Sequence, residues 1–379
     1  METDRIFDYA VVGAGIAGAS AAYRLSRQGA DVVVLEQEAQ PGYHSTGRSA
    51  AMFIETYGSK QIRALTRASR EFLLSPPDGF CEQPILAPRG VLYAGTDGQE
   101  ELLEAACAAY QAQGLEFKRL DGSQACELVP CLVAERTTGA IHDPVACEID
   151  VDTLHQGFLR GMRQYGTVLT CAAELQSARR RAGCWSLQTS SATLRARTIV
   201  DAAGAWADPV AELCGADSLG IQPLRRSAFL FSGPEDVDCS CWPMVIAADE
   251  SYYFKPEAGT LLGSPANADP VPPQDVVAEE LDVATGIYHI EQATTMRIHR
   301  PSHVWAGLRS FAPDHELVIG WDDKVEGFFW LAGQGGYGIQ TAAGASELAA
   351  TLLLDKALPR SLRAFDVDID VVDPARLRA

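Results

Sequence analysis

Residues 7–36, FDYAVVGAGIAGASAAYRLSRQGADVVVLE, constrain this chain's fold more than any other stretch. An apolar run ends in Gly13-Ala14-Gly15-Ile16-Ala17-Gly18, small and apolar residues follow at helical spacing to Gly29, and a second apolar run closes on Glu36. The order is strand, GxGxxG, helix, strand, acid. Gly13 suits a tight turn, Gly15 lets a pyrophosphate approach the backbone, and Gly18 lets the helix pack on the sheet. The helix amino terminus at Ile16 and Ala17 offers N–H groups to phosphate, and Glu36, followed by Gln37, is placed to accept from a ribose diol. The unit therefore predicts a Rossmann-type domain holding a dinucleotide.

Length and charge narrow the remainder. At 379 residues the chain exceeds one compact core, so two domains or one large insertion are expected. A net charge of −19 argues against nucleic-acid binding through the bulk surface, because phosphate contacts need Lys and Arg. Arg179–Arg181 reads as a solvated strand end. The ten cysteines show no CxxC pair and no zinc spacing, which reads as reduced, mostly buried thiols in a cytoplasmic enzyme with no metal. METDR runs directly into the first strand without a basic and apolar leader, and no apolar stretch is long enough to span a membrane.

Helices are expected at 59–74, 97–114, "DGSQACELV" (capped by Asp121 or Ser123) and 150–166, and a final helix from Ile339 through "LAATLLL". Two further strand-to-glycine-turn transitions follow, at Asp201-Ala202-Ala203-Gly204-Ala205-Trp206 and at "GFFWLAGQGGYG". Residues 218–309 have a different texture, with short strand-like runs, prolines and a polar connector at 266–275. The expected fold is α/β, with a nucleotide-binding domain from 1–80, 146–217 and 310–379. A strand-rich α+β substrate domain is inserted at 81–145 and 218–309.

Four blocks, "VVGAGIAGASAAYRL…VVVLE", "PGYHSTGRSAA", "VDAAGAWAD" and the pair "WAGLRSFAPD"/"GQGGYGIQT", resemble the FAD enzymes of the glycine oxidase and D-amino-acid dehydrogenase family, and within it the D-arginine dehydrogenases. "QPLRRSAF" and "LLGSPANADP" extend the likeness across nearly the whole chain. The resemblance implies a flavoprotein of the glutathione reductase and D-amino-acid oxidase type. Its activity would be oxidation of an amino acid at Cα, giving an imino acid that hydrolyses to a 2-oxo acid. His44, Ser45, Thr46, Arg48, Ser49, Ala50 and Ala51 supply hydroxyls, one charge and little bulk against a flavin; Ala203, Gly204 and Trp206 form the second turn. Gly335, Gly336, Tyr337, Gly338, Ile339 and Gln340 open a helix whose amino terminus can face the flavin pyrimidine. FAD is expected to be non-covalent, since no cysteine lies in the carboxy-terminal flavin-facing segments, with His44 as the residual attachment candidate.

An α-amino acid needs a carboxylate clamp, which the arginine fork supplies. Arg309 is the first candidate, and the resemblance implies Arg226, rather than Arg225, as the second. It also implies Tyr253 at the carboxylate, Tyr57 as an active-site tyrosine on a mobile segment, and Gly307 and Gln340 at the amino-acid backbone. No general base is evident; a neutral amine needs none if the site lowers its pKa. Two positions depart from the D-arginine enzymes: Met52 replaces a histidine, and Val91 replaces the acid that pairs with a guanidinium. An unpaired cationic side chain would be costly to bury, so an apolar or uncharged substrate side chain is expected. Alternatives are a 2-hydroxy acid or N-methyl amino acid, or a flavin-binding subunit without turnover. The electrons would pass on to oxygen, a quinone or a dye.

Overall fold

The computed structural model describes residues 5–235 and 237–378. The first strand, β1 (Ile6–Val12), is followed by helix α1 (Ile16–Arg27) and strand β2 (Val32–Leu35). β1 lies centrally, parallel to β2 on one side and to Thr193–Asp201 on the other. Val32–Leu35 is buried throughout, as a strand covered on both faces requires. Val168–Thr170 extends the parallel sheet beyond β2, and Phe328–Ala332 joins the carboxyl half of Thr193–Asp201. An antiparallel meander, Leu175–Arg181 with Cys184–Thr189, completes the other half. One face is covered by α1 and the helices Lys60–Leu74, Val151–Gln164 and Ala342–Leu353.

Among the described residues the second sheet has nine strands. Its longest pair, Gln222–Phe231 and His303–Phe311, runs antiparallel with Arg226 opposite Gly307 and Leu224 opposite Arg309. A three-stranded sheet of Met52–Phe53, Cys147–Ile149 and Leu86–Pro88 lies apart from both.

The expected helices appear at Lys60–Leu74, Glu100–Ala112, Gly122–Leu128 and Val151–Gln164, and Ser59, Asp121 and Asp150 cap the first, third and fourth. Several details correct the sequence reading. Residues 280–293, assigned to strand-rich texture, form the helix Glu280–Ala293, whose buried Gly286 and Ile290 pack on the second sheet. The polar connector contains a short strand, Asp269–Pro270, paired with Leu224 and Arg225. Strand His303–Phe311 crosses residue 310, where a domain boundary was expected. The last long helix starts at Ala342, because Tyr337–Thr341 forms a turn first. All ten cysteines are free, but only Cys107, Cys131 and Cys214 are buried.

Candidate active site

Three neighbouring parallel strands, β1, Thr193–Asp201 and Phe328–Ala332, each end in a glycine turn, and all three turns line one cavity. At Gly13 φ is +100°, and a Cβ there would lie 2.5 Å from the carbonyl oxygen of Ala202. Gly13 therefore allows the first two turns to touch. Gly18 lies outside the cavity lining; a Cβ on it would overlap the Gly13 carbonyl, so it serves helix packing rather than direct contact. Glu36 is buried and braces the first turn: its two oxygens accept from the N–H groups of Ala14 (2.8 Å) and Glu38 (3.0 Å). It also lines the cavity, as do Gln37, Gly15, Ile16 and Ala17.

Sequence reasoning missed His155, whose Nε2–H donates to the carbonyl of Ala14 at 2.9 Å. Nothing local marks it, because it comes from the helix Val151–Gln164 packed across the turn. Burial lowers the His155 pKa, so the ring is neutral in the folded protein. Its contribution is present above the unfolded histidine value and is lost as pH falls below about 6.5. We expect His155→Leu to weaken FAD binding by about tenfold, one lost buried hydrogen bond, in equilibrium titration of the apoprotein. It should also flatten the fall in unfolding free energy below about pH 6.5 in urea melts.

The segment 42–51 forms the facing wall. Ser45 donates to the carbonyl of Leu308 (2.7 Å), and Thr46 accepts from the N–H of Ile16 (3.0 Å). His44 sits beside Glu38 (2.9 Å) and Gln37, with its ring 4.6 Å from that of Trp206. Ser49, Ala50 and Ala51 line the cavity, with Ala203 and Gly204 across it. Arg48 lines the cavity as expected, but its guanidinium bonds Asp275 and three backbone carbonyls, those of Tyr43, Val276 and Ala306.

At the cavity's other end, Arg309 Nη2 donates to the Tyr57 hydroxyl at 2.9 Å. A Cβ at Gly336 would occupy the space of this guanidinium, so the glycine seats the arginine. Arg226 donates through Nε to the carbonyl of Asn267, and Tyr253 lies against it. Burial, and then the nearby Arg309 charge, lower the Arg226 pKa. Among the described residues neither arginine is salt-bridged to a carboxylate. Arg225 contrasts sharply: one residue earlier it faces the other side of the strand and is bound by Asp269, Glu279 and Asp282.

Met52, Gly307, Gln340, Gly335, Gly338 and Ile339 also line the cavity. Three other positions behave differently from the expectation. Val91 is fully buried behind Met52, Ile54 and Met244, outside the lining, because its strand turns that side chain into the core. Tyr337 is also outside the lining; its ring packs 4.9 Å from Tyr57 and 6.2 Å from Phe311. The Gln340 amide is committed at both ends, accepting from the Ile54 N–H (3.3 Å) and donating to Thr66 (3.0 Å), so it braces the segment 52–57. The residues missed here are Ile54, Tyr93, Met244, Ile246 and Glu250. The i, i+2 spacing of Met244 and Ile246 puts them on one strand face, the only signal available from sequence.

The sequence profile of the family described as "DAO: FAD dependent oxidoreductase" matches residues 8–352. Mitochondrial dimethylglycine dehydrogenase from Rattus norvegicus is 25% identical over 94% of this chain and 44% of its own length. This chain thus spans less than half of that relative. Glycine oxidase from Geobacillus kaustophilus is 23% identical over 95% of both chains. The solved structure of glycine oxidase from that organism matches with TM-score 0.80 at 22% identity, covering 96% of this chain and 98% of that one. L-alpha-glycerophosphate oxidase from Mycoplasma pneumoniae with FAD bound matches with TM-score 0.82 at 17% identity, covering 92% and 95%.

Proposed function

Because the chain belongs to the DAO family of FAD-dependent oxidoreductases, we propose that it oxidises a D-amino acid at Cα to an imino acid, which hydrolyses to a 2-oxo acid and ammonia. The observation that carries this reading is the pair of part-buried guanidiniums, Arg226 and Arg309, facing one cavity with no carboxylate partner among the described residues. Two partly desolvated positive charges with no counterion among the described residues make the site a receptor for an anion.

The residues present fit FAD. The cradle closes to a Cβ at Gly13, and the walls at Ser49–Ala51 and Ala202–Gly204 carry minimal bulk. Gly13 to Ala17 would hold the pyrophosphate, Glu36 and Gln37 the ribose, and Ser45, Thr46 and Ser49 to Ala51 with Gly335, Gly336, Gly338 and Ile339 the flavin, held without a covalent bond. FAD, when bound, supplies the acceptor for the hydride leaving Cα. Arg309 and Arg226 hold the substrate carboxylate, and Tyr57, already bonded to Arg309, fixes the guanidinium's orientation. The same two charges and the desolvated walls favour the neutral amine, so no side chain has to remove its proton.

Met52, Ile54, Met244 and Ile246, backed by Val91 and Ala146, form an apolar wall for the substrate side chain. This supports a preference for apolar or uncharged side chains. Glu250 also lines this end, but on an exposed turn where water screens its charge. Dimethylglycine dehydrogenase among the relatives keeps an N-methyl amino acid as the second reading, since the carboxylate clamp serves both.

The test is anaerobic bleaching of the flavin spectrum by a panel of D- and L-amino acids, glycine, N-methyl amino acids and 2-hydroxy acids, followed by steady-state kinetics. Uncharged D-amino acids are expected to reduce the enzyme with the highest kcat/KM. A maximum for D-arginine or D-lysine overturns the side-chain assignment, and reduction only by N-methyl or hydroxy substrates overturns the substrate class.

A further inference from the structure

Arg48 was expected to lend its charge to the cofactor, yet every bond it makes goes elsewhere. Its Nη1 donates to the carbonyls of Val276 (2.9 Å) and Ala306 (3.1 Å), its Nε to that of Tyr43 (3.3 Å), and its Nη2 to Asp275. The Tyr43 ring lies 5.1 Å from the guanidinium, and its hydroxyl donates to the second oxygen of Asp275 at 3.1 Å. Trp305 donates in turn to the Arg48 carbonyl at 3.1 Å. Three separate segments, at 43–48, 275–276 and 305–306, are therefore tied at one guanidinium.

What the tie secures is the stretch 271–278, VPPQDVVA. Its Val271, Val276 and Ala278 pack on Ala205, Trp206, Ala306 and Leu308. Ala205, Trp206 and Leu308 line the cofactor cavity from inside, so this stretch is the outer layer of the cavity wall. Pro272 and Pro273 stiffen it. Asp275, more than half exposed as a side chain, is the one charged group that anchors it to the segment 43–48.

We propose that Arg48, Asp275 and Tyr43 form a staple that holds 271–278 against the cofactor cavity and sets how fast FAD leaves. An ion pair supported by two further hydrogen-bonding groups is stronger than an isolated surface pair, while its exposed carboxylate keeps the tie breakable. The cofactor segment 42–51 and the wall behind Trp206 then move apart when Arg48 gives up Asp275 and, with it, the weaker bond to the Val276 carbonyl.

The experiment uses purified holoenzyme of the wild type, Asp275→Ala and Asp275→Asn, with FAD release followed by the rise in free-flavin fluorescence after dilution. Release from Asp275→Ala is expected to be about fivefold faster, and from Asp275→Asn less accelerated, because the amide keeps an acceptor oxygen. The urea midpoint of the apoprotein should stay at the wild-type value in both. A wild-type release rate for Asp275→Ala overturns the proposal, as does acceleration matched by an equal loss of apoprotein stability. If Asp275→Ala does not accumulate, Tyr43→Phe removes one of the two bonds to the carboxylate, and wild-type release from it overturns the proposal equally. No substrate enters the measurement, so its failure leaves the amino-acid reading untouched, and the reverse holds too.

Discussion

Arg309→Ala is expected to lower kcat/KM by about a thousandfold while FAD stays bound, the usual scale for truncating one partner of a buried, hydrogen-bonded charge pair. On the proposed reading the arginine meets the substrate carboxylate; it lines the cavity and is oriented by Tyr57 at 2.9 Å. Removing it leaves Arg226, which binds through one edge to Asn267 and is seated on a different strand. The carboxylate then loses its two-pronged anchor, and with it the alignment of Cα. Anaerobic bleaching should vanish at ordinary substrate concentrations, and Arg309→Lys should recover only a fraction, because an ammonium cannot bind bidentately. Bleaching at the wild-type rate in Arg309→Ala would remove Arg309 from the site.

Gly336→Ala should give a smaller loss of the same kind without touching a charged residue. The added Cβ would occupy the space of the Arg309 guanidinium, whose side chain is long enough to swing aside. Stability should therefore change little, whereas carboxylate binding should weaken by about a hundredfold, visible as a rise in KM. A carboxylate inhibitor titrated against the holoenzyme checks it independently of turnover. The comparison with Gly18 is instructive. There the added methyl would meet backbone, which cannot swing away, so the cost falls on the fold instead.

The nucleotide-binding half was legible because its signals are local. Strand, turn glycines, helix and acid lie within thirty residues or so, and each serves a backbone geometry that few other residues permit. The helices capped by Ser59, Asp121 and Asp150 were legible for the same reason. Helix Glu280–Ala293 was not, because Gly286, which lets it lie close to Pro265 and Phe229, reads in sequence as a breaker.

Side-chain assignments divided along another line. Arg225 and Arg226 are adjacent and chemically identical; the resemblance singled out Arg226, and the strand's two-residue period with the acids packed against one face supplies the physical reason they differ. Arg48, Gln340 and Val91 were placed in the right neighbourhood, but what each contacts depends on partners hundreds of residues away or on which side of a strand it faces. His155 and Glu250 carried no local mark at all.

The sequence by itself determined the dinucleotide cradle, the family of the chain and the presence of arginines suited to a carboxylate, since these follow from backbone conformations and residue chemistry written in short blocks. Only the tertiary structure decided which acids pair with Arg225, which wall is apolar, and that the Arg48 guanidinium bonds Asp275 and the carbonyls of Tyr43, Val276 and Ala306. Those outcomes rest on electrostatic and packing partners brought together across the chain, and no local pattern encodes them.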